Sequence, residues 1–469
     1  MAGTASVQHG HSKGDGVKMI MRRTFGRGGA AVLLLFLLMA GFAPRAQAAT
    51  SALTFRNDMR KLWEDHIQFT RMYIVSAAHD LPDKDATAAR LLQNQTDIGN
   101  AIKPLYGDAS GNQLTALLRD HILGAVDLIA AAKAGNTAAV NTASTRWYAN
   151  ANDIADFLSR ANPRFWPQAT ARAEMKMHLD LTLQEAQDRL GGRFAADIQD
   201  YDRIHEHILH FADVLSSGII SQFPAQFDQT NAARTFPLSS AMRKLWEDHI
   251  TWTRLYVISA AHDLPDKDAT AARLLQNQTD IGNAIKTYYG NAAGDRLTAL
   301  LRDHILGAVD LIAAAKANDQ PKQQAASAAW YANANDIAAF LSAANPTNWP
   351  APVVAAEMKM HLDVTLQEAV DRLMARYAAD IQDYDRVHEH ILHLADTLVA
   401  GIMAQFPGRF LGLPATGNPE AAPVNVVRPE ARGGQTGTVP AGAIGVAAAL
   451  AILGGGWVWT RRVATQRLS

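Results

Sequence analysis

The chain has 469 residues, 48% of them hydrophobic and 19% charged, which is enough apolar side chain to fill more than one core and excludes a disordered tail. Its 44 basic residues balance 45 acidic ones, so no whole-molecule field favours nucleic acid or an anionic membrane surface, and nucleic-acid binding is set aside. Cysteine is absent, which excludes disulfides, thiolate metal sites, covalent c-type haem attachment and cysteine nucleophiles.

Residues 1–48 read as a signal peptide. Arg22, Arg23 and Arg27 precede the apolar run Ala30 to Ala43, and Ala46-Gln47-Ala48 offers a small-x-small cleavage site. Arg22-Arg23-Thr24-Phe25 resembles the core of a twin-arginine export signal, and an ordinary secretory signal also accounts for these residues.

The body is a duplication. Residues 58–227 recur at 241–410 without insertion or deletion, at the constant offset of 183 that separates Trp63 from Trp246, His121 from His304 and His205 from His388. Each copy is too long for a solenoid repeat and suits a self-sufficient domain. The expected organisation is a first copy over 49–227, a linker over 228–240 and a second copy over 241–410. Helical periodicity within the first copy, interrupted at Leu81-Pro82-Asp83, Tyr106-Gly107-Asp108, Gly135-Asn136, Asn162-Pro163 and Gly191-Gly192, predicts helices over 57–80, 86–105, 111–133, 138–160, 168–190 and 193–222. No alternating strand stands out. The expected fold class is all-α: two tandem up-and-down bundles of about six helices each, followed by a C-terminal transmembrane helix.

Beyond the second copy, 411–438 is rich in Pro, Gly and Ala and reads as a flexible stalk. Within it, Leu413-Pro414-Ala415-Thr416-Gly417 resembles the cell-wall sorting motif of Gram-positive surface proteins, with a longer spacer than that pattern uses. Val439 to Trp459 is long enough to cross a bilayer; Trp457 and Trp459 sit at one rim, and Arg461 and Arg462 open a basic tail over 460–469. The body is thereby expected outside a cell membrane that the chain crosses once. A glycine-rich low-complexity tail is the alternative for this segment.

Several polar side chains fall inside apolar helix faces. His66 lies in an arc with Met59, Leu62, Trp63, Phe69 and Tyr73, and His121 lies among Leu114, Leu117, Leu118, Ala125 and Leu128. Asp197, Tyr201 and His205 form a ladder on the inner face of the last helix. Buried polar groups need partners, so these residues imply a hydrogen-bond network, an ion or an internal ligand. The expected metal ligands are His66, His121, Asp197 and His205 in the first copy, and His249, His304, Asp380 and His388 in the second. Supporting positions are Tyr201, Asn94, Asn150, His178 and Glu185, with Tyr384, Asn277, Asn333, His361 and Glu368 as their counterparts. Imidazole and carboxylate ligands suit a divalent zinc, copper, manganese or iron ion. A satisfied network without an ion, or an organic ligand, remains open.

His205-Glu206-His207-Ile208-Leu209-His210 departs from the zinc-protease helix because its second histidine falls at i+5. His207 and His210 share the outer side of that helix, as solvated surface or a surface metal site. Glu64 and Asp65 point away from the face that carries His66. No phosphate-binding loop or nucleophile elbow occurs. Leu62-Trp63-Glu64-Asp65-His66-Ile67, Trp147-Tyr148-Ala149-Asn150 and Asp200-Tyr201-Asp202-Arg203 resemble a family of small exported bacterial all-helical proteins, a resemblance that covers both copies and implies no activity. The functional expectation is a non-enzymatic, membrane-anchored tandem bundle with a metal-binding polar core. A ligand-free envelope scaffold, whose protein partner the sequence does not name, and a metal-dependent enzyme are the alternatives.

Overall fold

The computed structural model describes residues 49–410. The expected signal peptide, stalk, sorting-like motif, transmembrane helix and basic tail lie outside the described residues. Among the described residues the chain is all-α, and no helix there is long and apolar enough to cross a membrane.

The first copy comprises α1 (Ala52–Ala78), α2 (Lys84–Lys133), α3 (Thr137–Ala161), α4 (Gln168–Leu190) and α5 (Phe194–Gln222). The second comprises α6 (Ala232–Ala261), α7 (Lys267–Tyr289), α8 (Asn291–Lys316), α9 (Gln320–Ala344), α10 (Ala351–Leu373) and α11 (Tyr377–Gln405). The long α2 corresponds to α7 plus α8, because it folds back at Gly107, whose φ of 81° is open to glycine at little cost. Its two halves then touch so closely that a Cβ on Gly99 would stand 2.6 Å from the Gly111 carbonyl oxygen. Six helical segments per copy therefore agree with the six read from the sequence. One pair of very short strands, β1 (Thr50–Ser51) and β2 (Phe227–Asp228), ties the start of the first copy to its end in parallel register.

The segment read as a linker, 228–240, is helical from Ala232, where α6 starts. Pro237 lies within the first two turns of this helix, where it removes only one backbone bond. The extension is held by side chains of α1, where the Arg56 guanidinium lies 4.8 Å from the Phe236 ring centre and Asn57 donates to Ser239 Oγ at 3.1 Å.

In each copy successive helices are neighbours and the last closes against the first. The copies meet through α1 against α6, α5 against α7 and α2 against α11. These contacts are reciprocal: Arg90 pairs with Asp385 at 2.9 Å as Arg273 pairs with Asp202 at 2.9 Å, and Arg189 pairs with Asp266 at 2.7 Å as Arg372 pairs with Asp83 at 2.8 Å. Residue i meeting j while the counterpart of j meets the counterpart of i is the mark of a two-fold, self-complementary interface. The described residues, 49–410, accordingly lie within one compact unit. Helix α1 is buried nearly all round from Trp63 to Ala77, with its own bundle on one side and the second copy on the other.

Candidate metal centre

Three helices of the first copy bring three imidazoles together: His66 from α1, His121 from the second half of α2 and His178 from α4. Each offers a ring nitrogen, all within 4.8 Å of one another, and all three side chains are buried. His66 Nε2 and His178 Nε2 stand 3.4 Å apart. Two nitrogens each about 2.1 Å from one tetrahedral ion stand roughly 3.4 Å apart, so this spacing fits a shared cation. His249, His304 and His361 repeat the cluster in the second copy.

Neighbouring side chains orient these rings. Asn150 donates through Nδ2 to the Leu117 carbonyl at 3.0 Å, so its Oδ1 faces His121 Nδ1 at 3.2 Å and must accept a proton from it. His121 Nε2 is left with a lone pair. Asn333 repeats both contacts on His304, at 3.1 Å to the Leu300 carbonyl and 3.2 Å to the ring. The Gln95 amide nitrogen packs 3.4 Å from His66 Nδ1, with its two protons directed to the Leu91 carbonyl at 2.8 Å and Asn94 Oδ1 at 3.0 Å. The Trp147 ring packs on His121 with centroids 5.5 Å apart, an approach that Gly124 permits, since a Cβ there would press on Trp147 Cδ1 at 3.0 Å.

Burial, reinforced by His121, pushes the His66 ring down to about 3, and burial pushes His121 to about 4. His178 is lowered well below its ordinary value by burial and by the rings around it. Three neutral imidazoles are the protonation state a transition metal requires. Trp63, Leu118, Met175, Ile208 and Phe211 supply apolar walls, and Glu174 and His207 a polar side, around a cavity of about 10 Å³. That volume is close to one water molecule.

Asp197 and His205, expected in the same site, are corrected to two other clusters. Arg71 donates to both oxygens of Asp197, at 3.0 and 3.2 Å, and to Glu185 at 2.6 Å, while Arg189 bridges Asp197 at 2.9 Å to Asp266 of the second copy. Asp380 is held in the same way by Arg254 and Arg372, so neither aspartate has a carboxylate to spare for a metal. Burial raises Glu185 and Glu368 to about 7 against the pull of Arg71 and Arg254. His205 and His388 engage both ring nitrogens with carboxylates. His205 meets Glu64 and, at 3.1 Å, Asp248; His388 meets Asp65 at 3.0 Å and Glu247 at 2.9 Å.

Of the supporting positions, Asn150 and Asn333 touch a cluster histidine, while Asn94 and Asn277 brace the first helix of each copy by donating to the Leu62 and Leu245 carbonyls at 2.9 and 2.8 Å. Tyr384 donates to Gln68 at 2.8 Å and Tyr201 packs on Trp252, so both tyrosines belong to the junction between copies. His178 and His361, expected as support, join the cluster itself. Sequence reasoning missed Gln95 and the four arginines. The spacing Ala171, Met175, His178, Thr182, Glu185, Arg189 is an inner stripe on α4, but its polar content hid it.

Burial opposes charge on His205, yet Glu64 and Asp248 outweigh it; for His388, burial and Lys61 are outweighed by Asp65 and Glu247, and both rings are held at about 9. Lys244 on α6 also faces His205 and opposes its charge. A group raised on folding adds stability that is complete below its unfolded value, about 6.5 here, and is lost as pH climbs through the folded value. The thermal midpoint should therefore fall as pH rises from about 6.5 through about 9. A midpoint that stays level or rises across that window would contradict the doubly paired histidines.

The fold and clusters define an all-α, internally two-fold protein with a buried tri-histidine centre in each copy. No family model, curated protein or solved structure matches the chain.

Proposed function

We propose that the chain is an exported protein, anchored by one membrane span with its body on the outer side, that holds one transition-metal ion in each of its two bundles and catalyses no reaction. Export and anchoring rest on the terminal segments of the sequence. The metal reading rests on one observation above the rest: three buried imidazoles from three helices meet, two of them with a 3.4 Å nitrogen spacing, in one small pocket. An all-imidazole set with Asp197 engaged elsewhere favours zinc, copper or iron over manganese, which prefers oxygen ligands. The narrow cavity supports holding an ion over transforming a substrate.

Elemental analysis of the protein purified without a histidine tag tests this reading. Two equivalents of one of these metals per chain are expected. A metal-free protein that takes up none on titration with zinc would leave the ligand-free scaffold in its place.

A further inference from the structure

A second group of metal-binding side chains leads from the surface to each cluster. His207 on α5 stacks on His178, with centroids 6.0 Å apart and planes at 22°, and His390 stacks on His361 with the same values. Glu174 on α4 places Oε2 3.6 Å from His207 Nδ1, and Glu357 places Oε2 3.6 Å from His390 Nδ1. Further out, His393 Nε2 lies 3.8 Å from Glu357 Oε1, and His210 is its exposed counterpart. Exposure falls steeply along this line, from 66% at the His393 side chain to 22% at Glu357 and 3% at His390. In the first copy, Glu174 and His207 line the same cavity as His66, His121 and His178.

The chemistry of the outer group is that of a cation site. His390 Nε2 lies 3.1 Å from the Glu357 carbonyl oxygen, which only accepts, so Nε2 carries the proton. His390 Nδ1 and Glu357 Oε2, 3.6 Å apart, are separated as two corners of one coordination sphere.

Building on the metal-holding function proposed above, we propose that Glu174, His207 and His210, and in the second copy Glu357, His390 and His393, form an outer receiving site that captures a divalent transition-metal ion from solvent and passes it to the buried triad. The carboxylate supplies the attraction for a hydrated cation, and the stacked imidazole stands between it and the inner ligands. No other acidic side chain lines the cavity at the triad.

The test follows cobalt(II) uptake by the full chain after rapid mixing, using cobalt alone as the probe and its visible absorption to report inner-site occupancy. Two double variants are compared with wild type: Glu174→Gln with Glu357→Gln, and His210→Ala with His393→Ala, the second pair being exposed and tolerant of change. Both should still fill two inner sites more slowly than wild type, the glutamine pair by about tenfold, the lower end of what a focusing charge adds to an association rate. Two sites filled at the wild-type rate would overturn the receiving site and leave the inner centre standing. Loss of inner occupancy in the glutamine variant would also overturn it, by making the carboxylate a permanent ligand. A wild-type chain that takes up no cobalt would overturn both proposals.

Discussion

Residues 49–228, produced without the second copy, should assemble as a two-fold dimer at micromolar concentration. The ion pairs named across the junction join residues that both copies possess: Arg90 with the counterpart of Asp202, Arg189 with the counterpart of Asp83, and His205 with the counterpart of Asp65. A second molecule of the first copy therefore offers the same set. A lone copy would instead expose Phe69, which is fully buried in the intact chain, together with the outer face of a helix otherwise covered on all sides. Exposing large apolar side chains costs about 1.5–3 kcal/mol each, a sizeable part of the few kcal/mol that hold a domain together. Sedimentation should report a dimer, and the melting temperature should rise with protein concentration. A monomer that melts cooperatively like the full chain, independent of concentration, would show that the junction is incidental.

The helix boundaries were legible because glycine, proline and asparagine mark them. Gly107 and Gly192 break the pattern through positive φ, and Asn136 caps α3 by accepting from the Ala139 amide at 3.1 Å. The inward facing of His66 and His121 was legible from the apolar residues around them. What each inward group meets was not. Helical periodicity says which side a residue occupies, but Asp197 is neutralised by Arg71 from α1 and Arg189 from α4, and no one-dimensional pattern links those three positions.

Glu64 and Asp65 show a different limit. They do point away from the face that carries His66, as the periodicity implied, but the side they face is buried at the junction and not in solvent, Glu64 meeting His205 of its own copy and Asp65 meeting His388 of the second. A polar helix face reads the same whether it meets water or a charged partner surface. The duplication itself was visible in the sequence, whereas the two-fold packing of its halves was not, because the residues that form it look like ordinary surface charges.

Tightly held metal should follow the tri-histidine cluster. His121→Ala removes one of three imidazoles, and its tautomer is set by Asn150, so the loss should exceed the about 10–100-fold in affinity that removing a partner such as Asn150 costs. The second copy keeps its own three histidines and should be unaffected. His205→Gln is the informative control, because both nitrogens of His205 are engaged by Glu64 and Asp248 and contribute nothing to the cluster. The decisive measurement is zinc stoichiometry by equilibrium dialysis on the tag-free full chain, with circular dichroism confirming that each variant stays helical. Tri-histidine centres predict two equivalents for wild type and for His205→Gln, one for His121→Ala, and none for His121→Ala combined with His304→Ala. Undiminished binding in that double variant, or loss of zinc in His205→Gln alone, would contradict them.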